Sequence, residues 1–245
     1  TVFLANCNLR CVFCQNADIS QRPKDYLRRS TTTEALAAAM LELQADGCHN
    51  VNWVSPTHQV PQLVEALAIA AARGLALPIV YNTNAYDSPP VLRLLDGIVD
   101  VYMPDLKYAE EPVARTLSRV PDYPRAARAA IAEMHRQVGS AWRTDDEGVL
   151  LRGLLVRILV LPRDRAGVAA SLRWLAEELS PAVAVSLLAQ YRPCHLAARS
   201  GRYPDVARRI TPSEYVAALD ALQEWNASAE SLVQPYRLGP VGGDG

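Results

Sequence analysis

The chain has 245 residues, half of them hydrophobic and 21% charged, with a formal net charge of −1 and a sequence pI near 6.4. This is enough apolar material for one large packed domain or two small ones, and it excludes a disordered tail, a collagen-like repeat and a disulfide-stapled miniprotein. A near-neutral chain with no apolar run of about 18 residues gives no support for a nucleic-acid partner, an anionic-membrane surface or a bilayer span.

Strands and helices alternate along the chain. Val2-Phe3-Leu4-Ala5 is a short apolar strand that runs into a cysteine-rich loop. Thr31-Thr32-Thr33-Glu34 offers an N-cap to a helix reaching Ala45, which Gly47 stops. Val51–Val54 is a strand, and Pro61 opens a helix that ends at Gly74. Pro78–Asn82 is the next strand, Pro89–Leu95 a short helix and Val99–Met103 a strand. Helical pieces follow at Pro112–Leu117 and Pro124–Val138. Leu151–Leu161 is the most hydrophobic strand, and Gly167–Leu179 a helix. Val183–Leu188 is a strand, and Thr211-Pro212-Ser213-Glu214 caps a last helix to Trp225.

Six strand–helix units of about 30–40 residues each predict a parallel α/β sheet with right-handed crossovers. Both faces of such a sheet are covered, which accounts for its near-continuous apolar strands. One domain is expected over residues 1–225, followed by a loosely ordered C-terminal tail over 226–245. Thr1 stands six residues ahead of Cys7, which reads as an abbreviated N-terminus.

In barrel-like α/β proteins, chemistry gathers at the C-terminal ends of the strands. Polar residues follow that rule here. Cys7, Cys11 and Cys14 come after the first strand, and Ser55, Thr57 and His58 after the second. Asn82 and Asn84 come at the third, Asp105 and Lys107 at the fourth, and Gln190 at the sixth. Arg157 sits inside the otherwise apolar fifth.

The cysteine spacing is C-x3-C-x2-C. Three thiolates within eight residues can converge on a metal. Zinc asks for a fourth ligand, usually from a second CxxC pair or spaced histidines, and Cys48 and Cys194 stand alone. An iron–sulfur cluster held by three cysteines keeps one iron open, where chemistry happens. A structural zinc site and three unrelated buried thiols are the plainer alternatives. Cys48 and Cys194 are expected to be buried free thiols.

The segment Cys7-Asn8-Leu9-Arg10-Cys11-Val12-Phe13-Cys14-Gln15-Asn16 resembles the radical S-adenosylmethionine (radical SAM) superfamily. With Val51–Gln59, Tyr102–Tyr108 and Leu155-Val156-Arg157, it is most similar to an uncharacterised subgroup of pyruvate formate-lyase activating enzyme homologues. The resemblance covers Val2 to about Trp225. It implies a (β/α)6 partial TIM barrel of the radical SAM type and a cytoplasmic oxidoreductase. Cys7, Cys11 and Cys14 would hold a [4Fe–4S] cluster whose open iron chelates SAM. Reductive cleavage would give a 5′-deoxyadenosyl radical that abstracts hydrogen from a glycyl-radical enzyme or another protein or peptide. The electron would come from a donor such as flavodoxin or ferredoxin. A non-catalytic or electron-transfer iron–sulfur protein is the alternative, followed by a zinc-stabilised binding module. Asn6 replaces a glycine common before the first cysteine, and asparagine tolerates the left-handed conformation such a position needs.

The candidate SAM contacts each have a plainer reading. Phe13 either packs or lies beside the adenine, as the resemblance implies. Ser55-Pro56-Thr57 stands where the family has a Gly-Gly-Glu-type motif for the SAM amino group. His58 is the histidine best placed near the site. Asn82 and Asn84 either make a turn or bind ribose or carboxylate oxygens. Asp105 and Lys107 are either an exposed ion pair or contacts to SAM or substrate. Arg157 needs a partner if buried, either a structural carboxylate or that of SAM, and Gln190 reads the same way. No residue is assigned to the hydrogen transfer itself. The Arg22–Arg29 stretch reads as a solvated loop flanking the cysteines.

Overall fold

The computed structural model describes residues 1–22 and 30–225, and the backbone of 232–233. Residues 23–29 of the expected solvated loop lie outside it, as does most of the expected loose tail.

The strands are β1 (Val2–Phe3), β2 (Val51–Val54), β3 (Ile79–Thr83), β4 (Val101–Pro104), β5 (Arg143–Thr144), β6 (Leu150–Leu159), β7 (Ala184–Leu188) and β8 (Leu232–Val233). The sheet runs β1-β2-β3-β4-β6-β7-β8, with β5 beside β6. All neighbours along the path are parallel. The six strands expected from sequence are thus consecutive in one parallel sheet, the partial-barrel architecture. The helices are α1 (Ala17–Gln21), α2 (Thr33–Ala45), α3 (Val60–Ala72), α4 (Pro89–Arg93), α5 (Glu111–Ser118), α6 (Tyr123–Val138), α7 (Val168–Trp174), α8 (His195–Arg199) and α9 (Pro212–Trp225).

Local chemistry explains the boundaries. The Thr32 hydroxyl accepts the Ala35 N–H at 3.1 Å and starts α2. At α9, Thr211 Oγ1 accepts the Glu214 N–H at 3.2 Å while the Glu214 carboxylate accepts the Thr211 N–H at 2.7 Å. That reciprocal pair is a complete capping box. In β6, Gly153 has φ +152°, and a Cβ there would stand 2.6 Å from Trp142 Cδ1, so only glycine lets the indole lie against the strand.

Three features lie outside the sequence reading. Strand β5 folds back antiparallel on β6, and its two exposed residues carry no hydrophobic alternation. Helix α7 passes into a π-turn over Leu175–Leu179 instead of continuing as an α-helix. Strand β8 pairs Ser186 with Leu232 inside the stretch expected to be loose. No helix among the described residues is long and apolar enough to cross a membrane.

Buried side chains such as Trp53, Tyr81, Tyr102, Leu154, Val156 and Leu187, which the strand register puts on one face of the sheet, fill the core. This packing fixes the strand ends, and hence the rim where the loops carry polar groups.

Candidate functional site

A cavity of about 450 Å³ opens at the C-terminal ends of the strands, within the range that holds small ligands and cofactors. Cys7, Cys11 and Cys14 line it, together with Phe13, Ser55, Asn82, Asn84, Asp105, Lys107, Arg157 and Gln190. Eleven of the thirteen residues singled out from sequence therefore share one cavity. The other two do not line it. Thr57 Oγ1 donates to Asp87 Oδ1 at 2.7 Å, and His58 is exposed with Nε2 2.7 Å from the Ala5 carbonyl. The turn after β2, where Ser55 has φ +59°, leaves Ser55 lining the cavity and Thr57 and His58 outside it.

The cysteine loop is held from several sides. Asn6 has φ +78°, the left-handed conformation expected of it, and turns the chain after β1. Val12 N–H donates to Leu117 O at 2.8 Å and Arg10 N–H to Ser118 O at 3.2 Å, tying the loop to the end of α5. Ala197 N–H donates to Val12 O at 2.8 Å, so α8 braces the other side.

Each sulfur has its own polar neighbour. Cys7 Sγ accepts from Asn84 Nδ2 at 3.3 Å and from Leu9 N–H at 3.4 Å. Cys11 Sγ lies 3.0 Å from Ser118 Oγ, which in turn lies 2.6 Å from Tyr108 OH. Cys14 Sγ lies 3.2 Å from Ser20 Oγ. Burial pushes the Cys11 thiol up to about 11, against the pull of Lys107 and Ser118 in the other direction.

Another part of the lining is charged. Asp105, just past β4, accepts from Arg157 Nε at 2.7 Å and from Lys107 Nζ at 2.9 Å. Arg157 Nη2 also donates to Asn82 Oδ1 at 2.7 Å. Burial raises the Asp105 carboxyl, and the Arg157 and Lys107 cations more than offset it, holding the group below its ordinary value. The three side chains are 19–27% exposed, so the cluster faces the cavity without being sealed from solvent. Phe13 meets Tyr191 and Tyr108 edge-on, with centroids at 5.7 and 6.4 Å, and is both a packing residue and part of the lining.

The profile of the radical SAM superfamily matches residues 1–145, more than half of the sequence. The chain belongs to the radical SAM superfamily. An uncharacterized protein of Methanocaldococcus jannaschii is 30% identical over 235 residues, covering 92% of this chain and 62% of that protein. The radical SAM chain thus spans about six-tenths of the length of the curated relative it matches. Among solved structures, a radical SAM methyltransferase from Sphaerobacter thermophilus superposes with a TM-score of 0.60 at 16% identity, over 95% of this chain and 64% of the other. The protein anSMEcpe, solved with bound AdoMet and a Cp18Cys peptide, gives 0.57 at 10% identity over 90% and 56%. SuiB of Streptococcus suis gives 0.53 at 12% identity over 95% and 48%. At these identities the likeness is one of fold.

The donor set of this radical SAM chain fits an iron–sulfur cluster. Among the described residues, no three His, Cys, Asp or Glu side chains are grouped as a single ion would need them. The three sulfurs line one cavity, and thiolate sulfur is the donor an iron–sulfur cluster takes. Their hydroxyl and amide neighbours are of the kind that steady a ligating thiolate from its outer side.

Two residues of the site were not legible in the sequence. Tyr123, fully buried, accepts the Lys107 N–H at 3.0 Å and lies 2.8 and 2.7 Å from the Asn84 and Asp105 carbonyls. Asp87, also buried, accepts from Thr57, Tyr81 and Thr83. Asp87 precedes Ser88-Pro89 and reads as a helix-start residue, and Tyr123 sits in an ordinary Asp-Tyr-Pro turn. Cys48 and Cys194 are free, as expected, but half-buried instead of buried, because both sit in connecting segments next to solvent.

Proposed function

We propose that this chain is a radical SAM enzyme, an oxidoreductase acting in the cytoplasm, in which Cys7, Cys11 and Cys14 hold a [4Fe–4S] cluster and the remaining cavity lining binds SAM. The observation that carries the reading is that three cysteine sulfurs and a Lys–Asp–Arg cluster line one cavity. When bound, cluster and SAM supply one-electron cleavage of the sulfonium and removal of a hydrogen atom from substrate. The chain's own residues bind, orient and exclude water. Lys107 and Arg157 bring two positive charges against the single negative charge of Asp105, so one is left to meet a carboxylate. Asn82 fixes the Arg157 guanidinium, and Phe13 gives the cavity an apolar face.

The finer kinship, to homologues of pyruvate formate-lyase activating enzyme, rests on the four sequence segments that resemble it. A protein or peptide substrate, a glycyl-radical enzyme among them, is consistent with the open sheet path from β1 to β8. It is also consistent with the peptide bound to anSMEcpe. Cys14 lines another cavity, of about 400 Å³, with Arg22 and Arg199, and these cations support an approach from that side by an acidic one-electron donor such as flavodoxin or ferredoxin.

The test is anaerobic reconstitution. The protein should turn brown, carry about four irons with matching sulfide, and on reduction release 5′-deoxyadenosine and methionine from SAM. Cys11→Ala should abolish that release. Colourless protein with one zinc would overturn the reading, and an intact cluster without product would mark an electron carrier instead. An organic radical signal on an added glycyl-radical enzyme tests that substrate, and its absence removes it.

A further inference from the structure

Asn84 follows β3 and is only 7% exposed. Its Oδ1 accepts the Tyr86 N–H at 2.9 Å, which fixes the orientation of the carboxamide and turns Nδ2 toward the cysteine loop. Both Nδ2 protons are engaged, one toward Cys7 Sγ at 3.3 Å and one toward Asn8 Oδ1 at 2.7 Å. Asn8 Nδ2 returns a bond to the Tyr86 carbonyl at 2.6 Å. Two interlocked carboxamides therefore join the loop carrying Cys7 to the end of β3.

A buried network aims this pair. Thr83 Oγ1 accepts the Ala85 N–H at 3.2 Å and donates to Asp87 Oδ2 at 2.5 Å. Thr57 and Tyr81 hydroxyls donate to Asp87 Oδ1 at 2.7 and 3.0 Å. The bonds hold Ala85 at φ +65°, a conformation an alanine adopts only when its surroundings impose it. A residue serving only as a turn former would not need both amide protons directed at the neighbouring loop.

We infer that Asn84 is a positioning residue whose N–H donates to the Cys7 thiolate and sets the reduction potential of the cluster, with the Asp87 hydroxyl network holding it in place. The inference rests on the proposed cluster. A hydrogen bond to a ligating sulfur stabilises negative charge, and the reduced cluster carries one electron more than the oxidised one. The bond therefore favours reduction, and its loss drives the midpoint to more negative values.

The experiment compares anaerobically reconstituted wild-type protein with Asn84→Leu and Asn84→Asp, without SAM, reading iron and sulfide content and the midpoint by EPR-monitored redox titration. Neither variant can donate toward Cys7. The expected result is unchanged iron and a ratio of reduced to oxidised cluster about tenfold lower at fixed ambient potential, about 59 mV for a one-electron couple. Thr57→Val, which removes one hydroxyl from Asp87, should shift the midpoint in the same direction by less. An unchanged midpoint in a variant that keeps its iron overturns the inference. Iron loss from both Asn84 variants also overturns it, because the residue would then be needed to assemble the cluster instead of tuning it. Wild-type protein without iron and sulfide would instead defeat the cluster reading, so the two failures are distinguishable.

Discussion

Replacing Tyr123 by Phe removes a single oxygen at the point where two strand-end loops meet. The ring contacts remain, since Tyr86 stacks on Tyr123 at 6.3 Å and Tyr108 meets it edge-on at 5.4 Å through the rings alone. What is lost is an acceptor for the Lys107 N–H and a donor shared between the Asn84 and Asp105 carbonyls. A phenol has one proton, so at most one carbonyl is fully served at a time. The substitution thus orphans one part-buried N–H, at about 1 kcal/mol, and one carbonyl, at about 2 kcal/mol. A central figure of about 3 kcal/mol corresponds to a melting point lower by about 6–12 °C for a chain of this size. Thermal unfolding of the metal-free, reduced protein followed by circular dichroism reads this directly. A decrease below about 2 °C would refute the reasoning, because it would mean that water or a small backbone shift satisfies both groups.

The capping box at α9 gives a pH-dependent prediction. Arg208 first, with the Arg163 and Thr211 N–H groups, holds the Glu214 carboxyl down at about 2, against an ordinary value of 4.5. A depressed carboxyl stabilises the fold fully above pH 4.5, and the contribution fades as pH falls from there through about 2. Glu214→Gln should therefore melt lower than wild type at pH 7, by about 1 kcal/mol or 2–4 °C, with the gap closing toward pH 2. A gap that stays constant with pH would remove the charge from the explanation. At the outer face of Cys14, the double charge reversal Arg22→Glu/Arg199→Glu should slow cluster reduction by an acidic flavodoxin at least tenfold in low salt while leaving reduction by dithionite unchanged. Equal slowing with both reductants would show damage to the cluster and not to docking.

The parts of this molecule that were legible in its sequence are those whose cause is local. The Thr32 and Thr211–Glu214 caps, the Gly47 stop and the apolar strands depend on residues within a few positions of one another. The C-x3-C-x2-C loop is local in the same sense, and so is the rule that polar groups gather at the C-terminal strand ends. Thr57 shows where this ends. Its place after β2 suggested a cofactor contact, yet its hydroxyl is committed to Asp87, thirty residues away, by a partner that no spacing announces. Tyr123 is the same case, since its acceptors and donor lie 16 to 39 residues upstream. Strand β8 is two residues long, too short for any periodic signal.

The long-range residues also explain how the cavity lining keeps two groups of different character. On the cysteine side, the polar neighbours of the sulfurs are uncharged: Asn84, Ser118 and Ser20. On the other side, Asp105 holds Lys107 and Arg157 together within 2.9 Å. The direct hydrogen-bond partners of the sulfurs are thus neutral, while Lys107 acts on Cys11 by its charge without bonding to it. Tyr123 ties Asn84 of the first group to Asp105 and Lys107 of the second through a single hydroxyl. Loss of that hydroxyl should therefore loosen both groups at once, whereas a change at Asn84 alone leaves the charged group intact. Measured side by side, the Tyr123→Phe and Asn84→Leu proteins separate the two effects: the first lowers the melting point, and the second moves the potential.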